Sequence, residues 1–472
     1  MRIIVTAFLM ASTVAPACAQ MTDDPFPSPI ASTEDIIRVS FTEFASLPDI
    51  EGEAARVMIL VDEPGTRRMF VNDMRGPLYT VSYDGRTVRE YIDIDDPRWA
   101  VAVEAGRREV GFQSFALHAQ FGRPGTEGYG RFYTWTDTRN TGSTPDFRPN
   151  GGDDTHDTVL LEWTARSPGA ATYDGGPPRE LLRVEQPFRN HNAGQVGFNP
   201  FASLGDADFG LLYITLADGG SGGDPLNMAQ DLTSPFGKML RIDPLGSNAT
   251  NGEYGVPAGN PFAGGGHGGA LGEIYAYGLR NAQRFAWDPT NGNMFVSDIG
   301  QNIVEELSLV TAGANLGWND WEGSFEFIGR RAVSLVNPRG DPTVTYPVAE
   351  YAQSDPLLTS RVAATGVHVY RSRAIPQLTD LVLWGDMPGG EIFYLQADDL
   401  PNGGQQSIRR VLLNDGGEAK TLLQLVQEKN VEQGKPPSAR ADLRFGSGPD
   451  EQVLILNKQD GVIRLLVPDG SP

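Results

Sequence analysis

The chain has 472 residues, with 56 Gly, 34 Pro and 21% charged side chains, a turn-rich composition that favours many short strands over a helical bundle. Carboxylates outnumber Lys and Arg by 60 to 38, so the net charge is −22. Because nucleic acids and anionic lipids bind basic surfaces, this balance excludes nucleic acid as a partner of the chain as a whole.

Residues 1–19 have the pattern of a secretory signal peptide. Arg2 supplies the positive start, residues 3–14 are apolar, and Ala17-Cys18-Ala19 is a small-x-small cleavage site. Cys18 is the only cysteine; it would leave with the signal or, as an alternative, anchor a lipid, although Ala15 stands where that signal needs a Leu-like residue. No other segment reaches the roughly 18 apolar residues of a membrane span. We expect a periplasmic or secreted protein without disulfides or membrane insertion.

One local pattern recurs: an apolar strand, a tight polar or Gly-rich turn, and a second strand. Six such pairs are predicted, at 69–73 with 76–79, 131–135 with 159–163, 211–218 with 238–242, 294–298 with 305–310, 381–386 with 391–395, and 453–458 with 462–465. Six strand-rich repeats predict an all-β fold, a six-bladed β-propeller with long inter-strand loops, because ring closure leaves few open sheet edges. We expect one domain over residues 35–468, after a disordered lead-in at 20–34.

Two further features follow from composition. Gly-rich connections at 122–130, 149–157, 219–224 and 264–269 predict loops rather than domain linkers, because the strand pattern continues on both sides of each. Residues 418–432 alone have a helical pattern, with apolar positions between charged ends.

Histidine is rare, with five in the chain, and one of them has a context that suits chemistry. His191 lies in a polar turn that enters a strand, where a histidine can be exposed and act as a base; a turn histidine that only bonds backbone is the alternative. His118 and His368 have apolar neighbours and are predicted core residues, whereas His156 and His267 lie in loops.

Three polar positions stand at predicted strand ends. Asp218 precedes a Gly-rich loop and could orient a histidine, bind a cation or cap a turn. Arg280, followed by Asn281, could stabilise a developing oxyanion or form an ion pair between blades. The stretch 298–306 offers oxygen ligands of the kind Ca²⁺ prefers, without EF-hand spacing. The chain has no dinucleotide-binding glycine motif, Walker loop, serine-nucleophile elbow or His-Glu-x-x-His motif.

Between residues 191 and 323 the chain resembles the glucose/sorbosone dehydrogenase family of bacterial quinoproteins. The motifs are LYIT at 212–215, DGG at 218–220, GKMLRIDP at 237–244, EIYAYGLRN at 273–281, SDIGQN at 297–302 and NLGW at 315–318. Looser matches at 109–112 and 385–393 extend the resemblance over most of residues 50–468. The family implies six-bladed propellers that oxidise sugars with pyrroloquinoline quinone (PQQ) and Ca²⁺.

The resemblance implies a role for each catalytic candidate. His191 would be the base that takes the proton of the sugar's anomeric hydroxyl as hydride leaves C1, and Asp218 would orient it. Arg280 would stabilise charge beside the quinone carbonyl, and Asn281 would contact the cofactor.

The resemblance also implies binding positions. Glu109 and Asn190 fall on the sugar side, and Asn190 replaces an Asp of the glucose-specific members, so their sugar preference is not implied. The backbone carbonyls of Gly300 and Gln301 would hold Ca²⁺.

The positive charges around the cofactor depart from the family. PQQ has three carboxylates, and glucose dehydrogenases place a Lys just before the late Gly-x-Ile-Phe strand. This chain has no basic residue between Trp384 and Tyr394. Arg440 and Arg444 lie near the family's Arg pair with a different spacing, and we assign them to the cofactor. Other basic residues could compensate: Arg371, Arg373 and Lys458.

The leading hypothesis is a periplasmic PQQ-dependent dehydrogenase that oxidises an aldose or related sugar alcohol. Because the chain lacks a Cys-x-x-Cys-His haem motif, electrons would pass to a separate acceptor, a cytochrome or the quinone pool. One alternative is a propeller without cofactor that binds carbohydrate or another partner. Another is a Ca²⁺-dependent lactonase, which would need side-chain carboxylate and Asn ligands in the central channel.

Overall fold

The structure, a computed structural model, describes residues 21–106, 109–153, 156–265 and 268–470. The predicted signal peptide at 1–19 and His267 lie outside these residues. Within them the protein is nearly all β, with one α-helix and three short 3-10 helices at Pro97–Trp99, Pro376–Leu378 and Pro449–Glu451. No helix in the described ranges is long and apolar enough to span a membrane.

Most strands belong to six four-stranded groups, called groups 1 to 6 below. Two strands precede group 1: β1 (Met21–Thr22) and β2 (Ile37–Ser46). Group 1 comprises β3 (Val57–Glu63), β4 (Arg68–Asp73), β5 (Pro77–Ser82) and β6 (Val88–Asp93). Group 2 comprises β7 (Phe112–Leu117), β8 (Arg131–Thr138), β9 (Asp157–Thr164) and β10 (Arg179–Glu185). Group 3 comprises β11 (Ala193–Phe198), β12 (Leu212–Leu216), β13 (Lys238–Ile242) and β14 (Ile274–Tyr277).

The second half of the chain continues the same arrangement. Group 4 comprises β15 (Ala282–Trp287), β16 (Met294–Asp298), β17 (Val304–Val310) and, after the short strands β18 (Trp321–Glu322), β19 (Phe325–Phe327) and β20 (Val333–Ser334), β21 (Ala349–Ala352). Group 5 comprises β22 (Ala364–Tyr370), β23 (Leu381–Asp386), β24 (Glu391–Gln396) and β25 (Arg409–Asp415), followed by β26 (Glu418–Lys420) and helix α1 (Leu422–Glu432). Group 6 comprises β27 (Arg444–Ser447), β28 (Val453–Leu456) and β29 (Val462–Val467), with β2 as its fourth strand.

The six predicted strand pairs are confirmed. Each is an antiparallel pair of neighbours in the structure: β4 with β5, β8 with β9, β12 with β13, β16 with β17, β23 with β24, and β28 with β29. Strand β2 pairs antiparallel with β29 and parallel with β25, so the beginning of the domain is joined to its end.

The strands are buried on both faces because each group packs between two others. In β16, Phe295 packs against group 5, whereas Met294 and Val296 on the opposite face pack against group 3. Buried apolar clusters lie between groups 1 and 2, 2 and 3, 3 and 4, 4 and 5, 5 and 6, and again 6 and 1. The first strands contact one another in the same cyclic order, from β3 through β7, β11, β15, β22 and β27 back to β3.

The segment expected to be a disordered lead-in packs against the domain, which corrects that expectation for residues 21–34. Met21 and Thr22 pair with β20, and Ile30 is only 2% exposed. The N–H of Ile30 donates to an Asp355 carboxylate oxygen at 2.8 Å. Buried apolar contacts and hydrogen bonds from distant groups thus hold a polar segment that shows no strand pattern.

The predicted helix is confirmed over most of its length. Helix α1 begins after Thr421, whose side chain and that of Gln424 form a reciprocal capping box. Residues 418–420 are a strand instead, because they pair with β25 across a tight turn.

Candidate active site

The predicted site residues come together although they lie far apart in the chain. In every group, the loop before the first strand and the loop after the second strand lie at the same end, because the two strands are antiparallel. At this end the structure has a cavity of about 450 Å³. Its wall includes eight of the predicted residues: Glu109, His191, Arg280, Asn281, Gly300, Gln301, Arg440 and Arg444.

The other two predicted residues are not part of the wall. Asp218 is buried directly behind His191, at 1% exposure. Asn190 is not part of the wall; its Oδ1 accepts a hydrogen bond from the backbone N–H of Ser221 at 3.2 Å.

His191 is held by contacts at both ring nitrogens. Its Nδ1 lies 2.8 Å from the Asp218 carboxylate, and its Nε2 lies 3.4 Å from Nη2 of Arg280. A carboxylate can only accept and a guanidinium can only donate, so the neutral ring has its proton on Nδ1 and a lone pair on Nε2. This tautomer is the one that a general base facing the cavity needs.

The backbone at His191 has an unusual conformation. Its φ is +55°, in the left-handed region that few residues other than glycine adopt. The backbone N–H of His191 donates to Oε2 of Glu109 at 3.2 Å. The turn before β11 thus directs the imidazole at Asp218, which follows β12.

Asp218 is kept ionised by its surroundings. It accepts hydrogen bonds from the backbone N–H of Gly220 and the indole N–H of Trp318, both at 2.9 Å. Burial alone would raise the pKa of Asp218, but His191, Arg280 and the Gly220 N–H outweigh burial and lower it. Gly220 is required here because it has φ +97° and a Cβ would lie 2.3 Å from the carbonyl oxygen of Asn190.

Arg280 has a fixed position beside His191. Its Nη1 donates to the carbonyl oxygens of Ile299 and Gly300, both at 2.7 Å. Its guanidinium carbon lies 5.5 Å from the centre of the Trp318 ring, within cation–π range. The backbone N–H groups of Arg280 and Asn281 both donate to the Asp298 carboxylate, which fixes the turn into β15.

The carbonyl group of Gly300, expected to hold Ca²⁺, is therefore already bonded to Arg280. Of the residues described, Glu109 is the one carboxylate in the cavity wall. The described ranges contain no group of three or more His, Cys, Asp or Glu side chains suited to a metal ion.

The cavity wall is rich in positive charge. Besides Arg280, it contains Arg361, Arg440, Arg444 and Lys458. Arg361 precedes β22 and Lys458 follows β28, so both occupy the loops that face the cavity. Of the residues considered as compensating charges, Lys458 is in the wall. Arg371 instead pairs with Asp288, Asp380 and Asp398 outside it.

The remaining described histidines are buried. Burial lowers the pKa of both His118 and His368 to about 4, as expected of core residues. His156, expected in a loop, is 2% exposed, with Nε2 at 3.8 Å from Asp137. His156 lies in the loop directly before β9, as predicted, and is buried there.

The roles of two site residues were not predicted, although one of them, Asp298, belongs to the stretch 298–306 that offers oxygen ligands. Trp318 contacts both Asp218 and Arg280, and Asp298 holds the backbone of Arg280 and Asn281. Both belong to motifs quoted above, SDIGQN and NLGW, but a motif alone does not indicate which side chain its residue contacts. Burial raises the pKa of Asp298 to about 6 despite these two donors.

A family model described as Glucose / Sorbosone dehydrogenase matches residues 64–418. The chain belongs to the glucose/sorbosone dehydrogenase family. This match confirms the resemblance inferred from the motifs between residues 191 and 323.

Curated relatives match part of the chain. The HIPL1 protein of Arabidopsis thaliana is 32% identical over 259 residues, which are 50% of this chain and 35% of that protein. The aldose sugar dehydrogenase YliI of Escherichia coli (strain K12) is 30% identical over 129 residues, 27% of this chain and 29% of that protein. The chain thus spans about a third of the length of these relatives.

Solved structures match nearly the whole chain. The soluble aldose sugar dehydrogenase of Escherichia coli in its apo form is 18% identical, with a TM-score of 0.57, and covers 91% of this chain and 97% of its own. The PQQ-bound aldose sugar dehydrogenase of Streptomyces coelicolor is 18% identical, with a TM-score of 0.54, and covers 90% of this chain and 96% of its own. At 18% identity, these matches show that the folds are similar.

Proposed function

We propose that this family member is a dehydrogenase that oxidises an aldose or related sugar alcohol, with PQQ as the hydride acceptor. The observation that carries the proposal is the arrangement of His191 between Asp218 and Arg280, with Nε2 at the cavity wall. A base with a defined tautomer, held next to a permanent positive charge, suits a reaction that removes a proton from a hydroxyl group and hydride from its carbon.

The chain's own residues supply the proton chemistry. His191 takes the proton of the substrate hydroxyl at Nε2, and Asp218 stabilises the resulting imidazolium through Nδ1. The Trp318 and Gly220 donors keep Asp218 in place and ionised as the ring becomes charged. Bound PQQ supplies a quinone carbonyl group that accepts the hydride. Glu109, beside His191, is positioned to accept hydrogen bonds from other sugar hydroxyls.

The cavity fits an acidic cofactor. Arg361, Arg440, Arg444 and Lys458 face one space with a single carboxylate among the wall residues described, Glu109. The buried Nε of Arg444 has no hydrogen-bond partner, which leaves a donor for a ligand. A guanidinium group forms its strongest hydrogen bonds with carboxylates. We therefore assign Arg440 and Arg444, together with Asn281, to PQQ.

The arrangement fits Ca²⁺ less well than PQQ. Arg280 bonds the Gly300 carbonyl group, so a cation at this carbonyl and at that of Gln301 would have to displace the guanidinium. The assignment of Ca²⁺ to Gly300 and Gln301 stays a prediction.

We also propose that the six groups of strands form a closed ring. Three observations favour a closed six-bladed propeller. The first strands of the six groups contact one another in cyclic order, a buried apolar cluster lies between each pair of neighbouring groups, and β2 pairs with β29. In such a ring the site cavity lies at the mouth of the central channel.

Location and electron acceptor belong to the proposal as well. The pattern of residues 1–19 favours export to the periplasm or secretion, and mass spectrometry of the mature chain from fractionated cells tests it. With no haem-attachment motif in the sequence, a separate acceptor, a cytochrome or the quinone pool, would reoxidise the cofactor.

Reconstitution tests the function. Purified protein is titrated with PQQ, with and without Ca²⁺, by calorimetry, and dye reduction is measured with a panel of aldoses. We expect binding and sugar-dependent dye reduction, with turnover lost in His191→Ala and Arg280→Ala but kept in Arg373→Ala, an exposed arginine outside the cavity. Absence of PQQ binding in folded protein would refute the proposal and leave a carbohydrate-binding propeller without cofactor as the explanation.

A further inference from the structure

The loop that follows Asp218, residues 219–224, has an unusual backbone along its whole length. All six residues have positive φ, from +45° at Asp224 to +97° at Gly220. Four of them are glycines, which adopt this conformation without a steric penalty but lose much freedom on folding. Ser221 and Asp224 have side chains and adopt it at a cost in energy. Such a segment needs bonds from outside itself to keep one conformation.

Two backbone N–H groups of this loop connect the two halves of the site. Gly220 donates to the Asp218 carboxylate at 2.9 Å, and Gly223 donates to Oε1 of Gln301 at 2.6 Å. Because Asp218 orients His191, the loop joins the carboxylate behind the base to a residue of the cavity wall.

The same oxygen of Gln301 also contacts Arg280. Oε1 lies 3.2 Å from Nη2 and 3.4 Å from Nε of that guanidinium, and it accepts from both. A guanidinium and the backbone N–H of Gly223 can only donate, so the amide presents its oxygen to all three donors. The resemblance to the family concerns only the backbone carbonyl of Gln301. The side chain therefore has a separate role, which is to tie Arg280 to the loop.

Arg330 holds the loop from the inserted strands of group 4. It lies in the turn between β19 and β20, and its Nη2 donates to the carbonyl oxygens of Ser221 at 2.7 Å and Gly222 at 2.6 Å. Its own carbonyl oxygen accepts a hydrogen bond from the side chain of Asn302. A Cβ at Gly222 would lie 3.4 Å from Cζ of Arg330 and 3.3 Å from Nε2 of Gln301. The loop thus fits closely between these two side chains.

We propose that Arg330 and Gln301 are positioning residues of the site. Arg330 fixes the loop 219–224, and Gln301 joins this loop to Arg280, which keeps the guanidinium 3.4 Å from Nε2 of His191. The inference rests on the proposed function for the reaction that this geometry serves. Misplacement of a catalytic group by about 1 Å can lower turnover about a hundredfold, so a loop free to move would be costly.

Hydrogen exchange measured by mass spectrometry tests this role without substrate or cofactor. In Arg330→Met, peptides that cover residues 219–224 should exchange at least about tenfold faster than in the wild type, because two carbonyl groups lose a charged donor. Arg331→Met removes the exposed neighbouring arginine and should leave exchange unchanged. Gln301→Met should also accelerate exchange, whereas Gln301→Glu keeps an acceptor oxygen and should stay within a few-fold of the wild type.

Turnover with PQQ and sugar tests the consequence for the reaction. Arg330→Met should lower kcat about tenfold and leave the KM for the sugar within a few-fold, because Arg330 is not part of the cavity wall. Its melting temperature should stay within about 2 °C of the wild type, because the side chain is exposed. A merely structural role would instead lower the melting temperature and leave the kcat of the folded enzyme unchanged.

The outcomes separate the inference from the proposed function. Unchanged hydrogen exchange in Arg330→Met would overturn the inference, and so would faster exchange with an unchanged kcat. Equal effects of Arg330→Met and Arg331→Met would overturn it as well. A wild type without sugar-dependent turnover would refute the proposed function. Faster exchange in Arg330→Met alone would then still uphold Arg330 as the residue that fixes the loop.

Discussion

Replacing Asp218 with Asn removes one negative charge beside His191 and keeps the size of the side chain. The carboxylate lies 2.8 Å from Nδ1, and its charge centre is roughly 4 Å from that of the imidazolium, where two charges interact by about 4 kcal/mol at an effective dielectric constant of 20. Loss of that stabilisation in the transition state corresponds to about a thousandfold lower kcat. An amide N–H facing Nδ1 would also favour the tautomer with its proton on Nε2, which cannot act as the base.

The assay is sugar-dependent dye reduction by Asp218→Asn over pH 5 to 9, with PQQ affinity measured in parallel. Because Asp218 does not line the cavity, PQQ affinity should stay within a few-fold of the wild type. Asp399→Asn, an exposed substitution far from the site, serves as the matched control. A loss of kcat below tenfold with an unchanged pH profile would show that His191 is not a base stabilised by Asp218.

Three further perturbations test the surroundings. Trp318→Phe removes one donor from buried Asp218, so its pKa should rise and kcat fall about tenfold, with a shifted pH profile; an unshifted profile would contradict this role. Arg371→Met leaves buried Asp288 without its cation and should lower the free energy of unfolding by about 3 kcal/mol in denaturant titrations, whereas exposed Arg373→Met should not; equal stabilities would refute the pairing. Burial raises the pKa of Glu305 to about 8, so its contribution to stability is full below about pH 4.5 and is lost as pH rises toward 8. Glu305→Gln should therefore be more stable than the wild type at pH 8 but not at pH 5, and parallel pH profiles would speak against it.

The strand pairs could be predicted from the sequence because each repeats a short apolar run, a turn and a second run. Tight turns and short apolar runs are both local features of a sequence, so six copies of the pattern support the same prediction. The packing of residues 21–34 could not be predicted in this way. It depends on contacts such as that between Ile30 and Asp355, which are 325 positions apart in the chain.

The candidate site was predictable to different degrees. Asp218 and Arg280 lie in motifs that identify them by resemblance, and His191 begins the stretch that contains these motifs. The cavity has His191 and Arg280 in its wall, with Asp218 buried behind His191. Trp318 was not predicted as a site residue, because its contact with Asp218 spans 100 positions of the chain. For the same reason no local pattern indicated that Gly300, expected to bind a cation, would accept a hydrogen bond from Arg280.

Proton abstraction and recognition of an acidic cofactor place different demands on the chain. Proton abstraction needs one atom, Nε2 of His191, in a defined tautomer, and this depends on directed hydrogen bonds within groups 3 and 4. Recognition of several carboxylates depends on the summed electrostatic potential, which cations from any loop around the ring can supply. A basic residue can therefore be absent between residues 384 and 394 while Lys458, after β28, charges the same space. By this argument the missing lysine removes a position but not the electrostatic basis for an acidic cofactor.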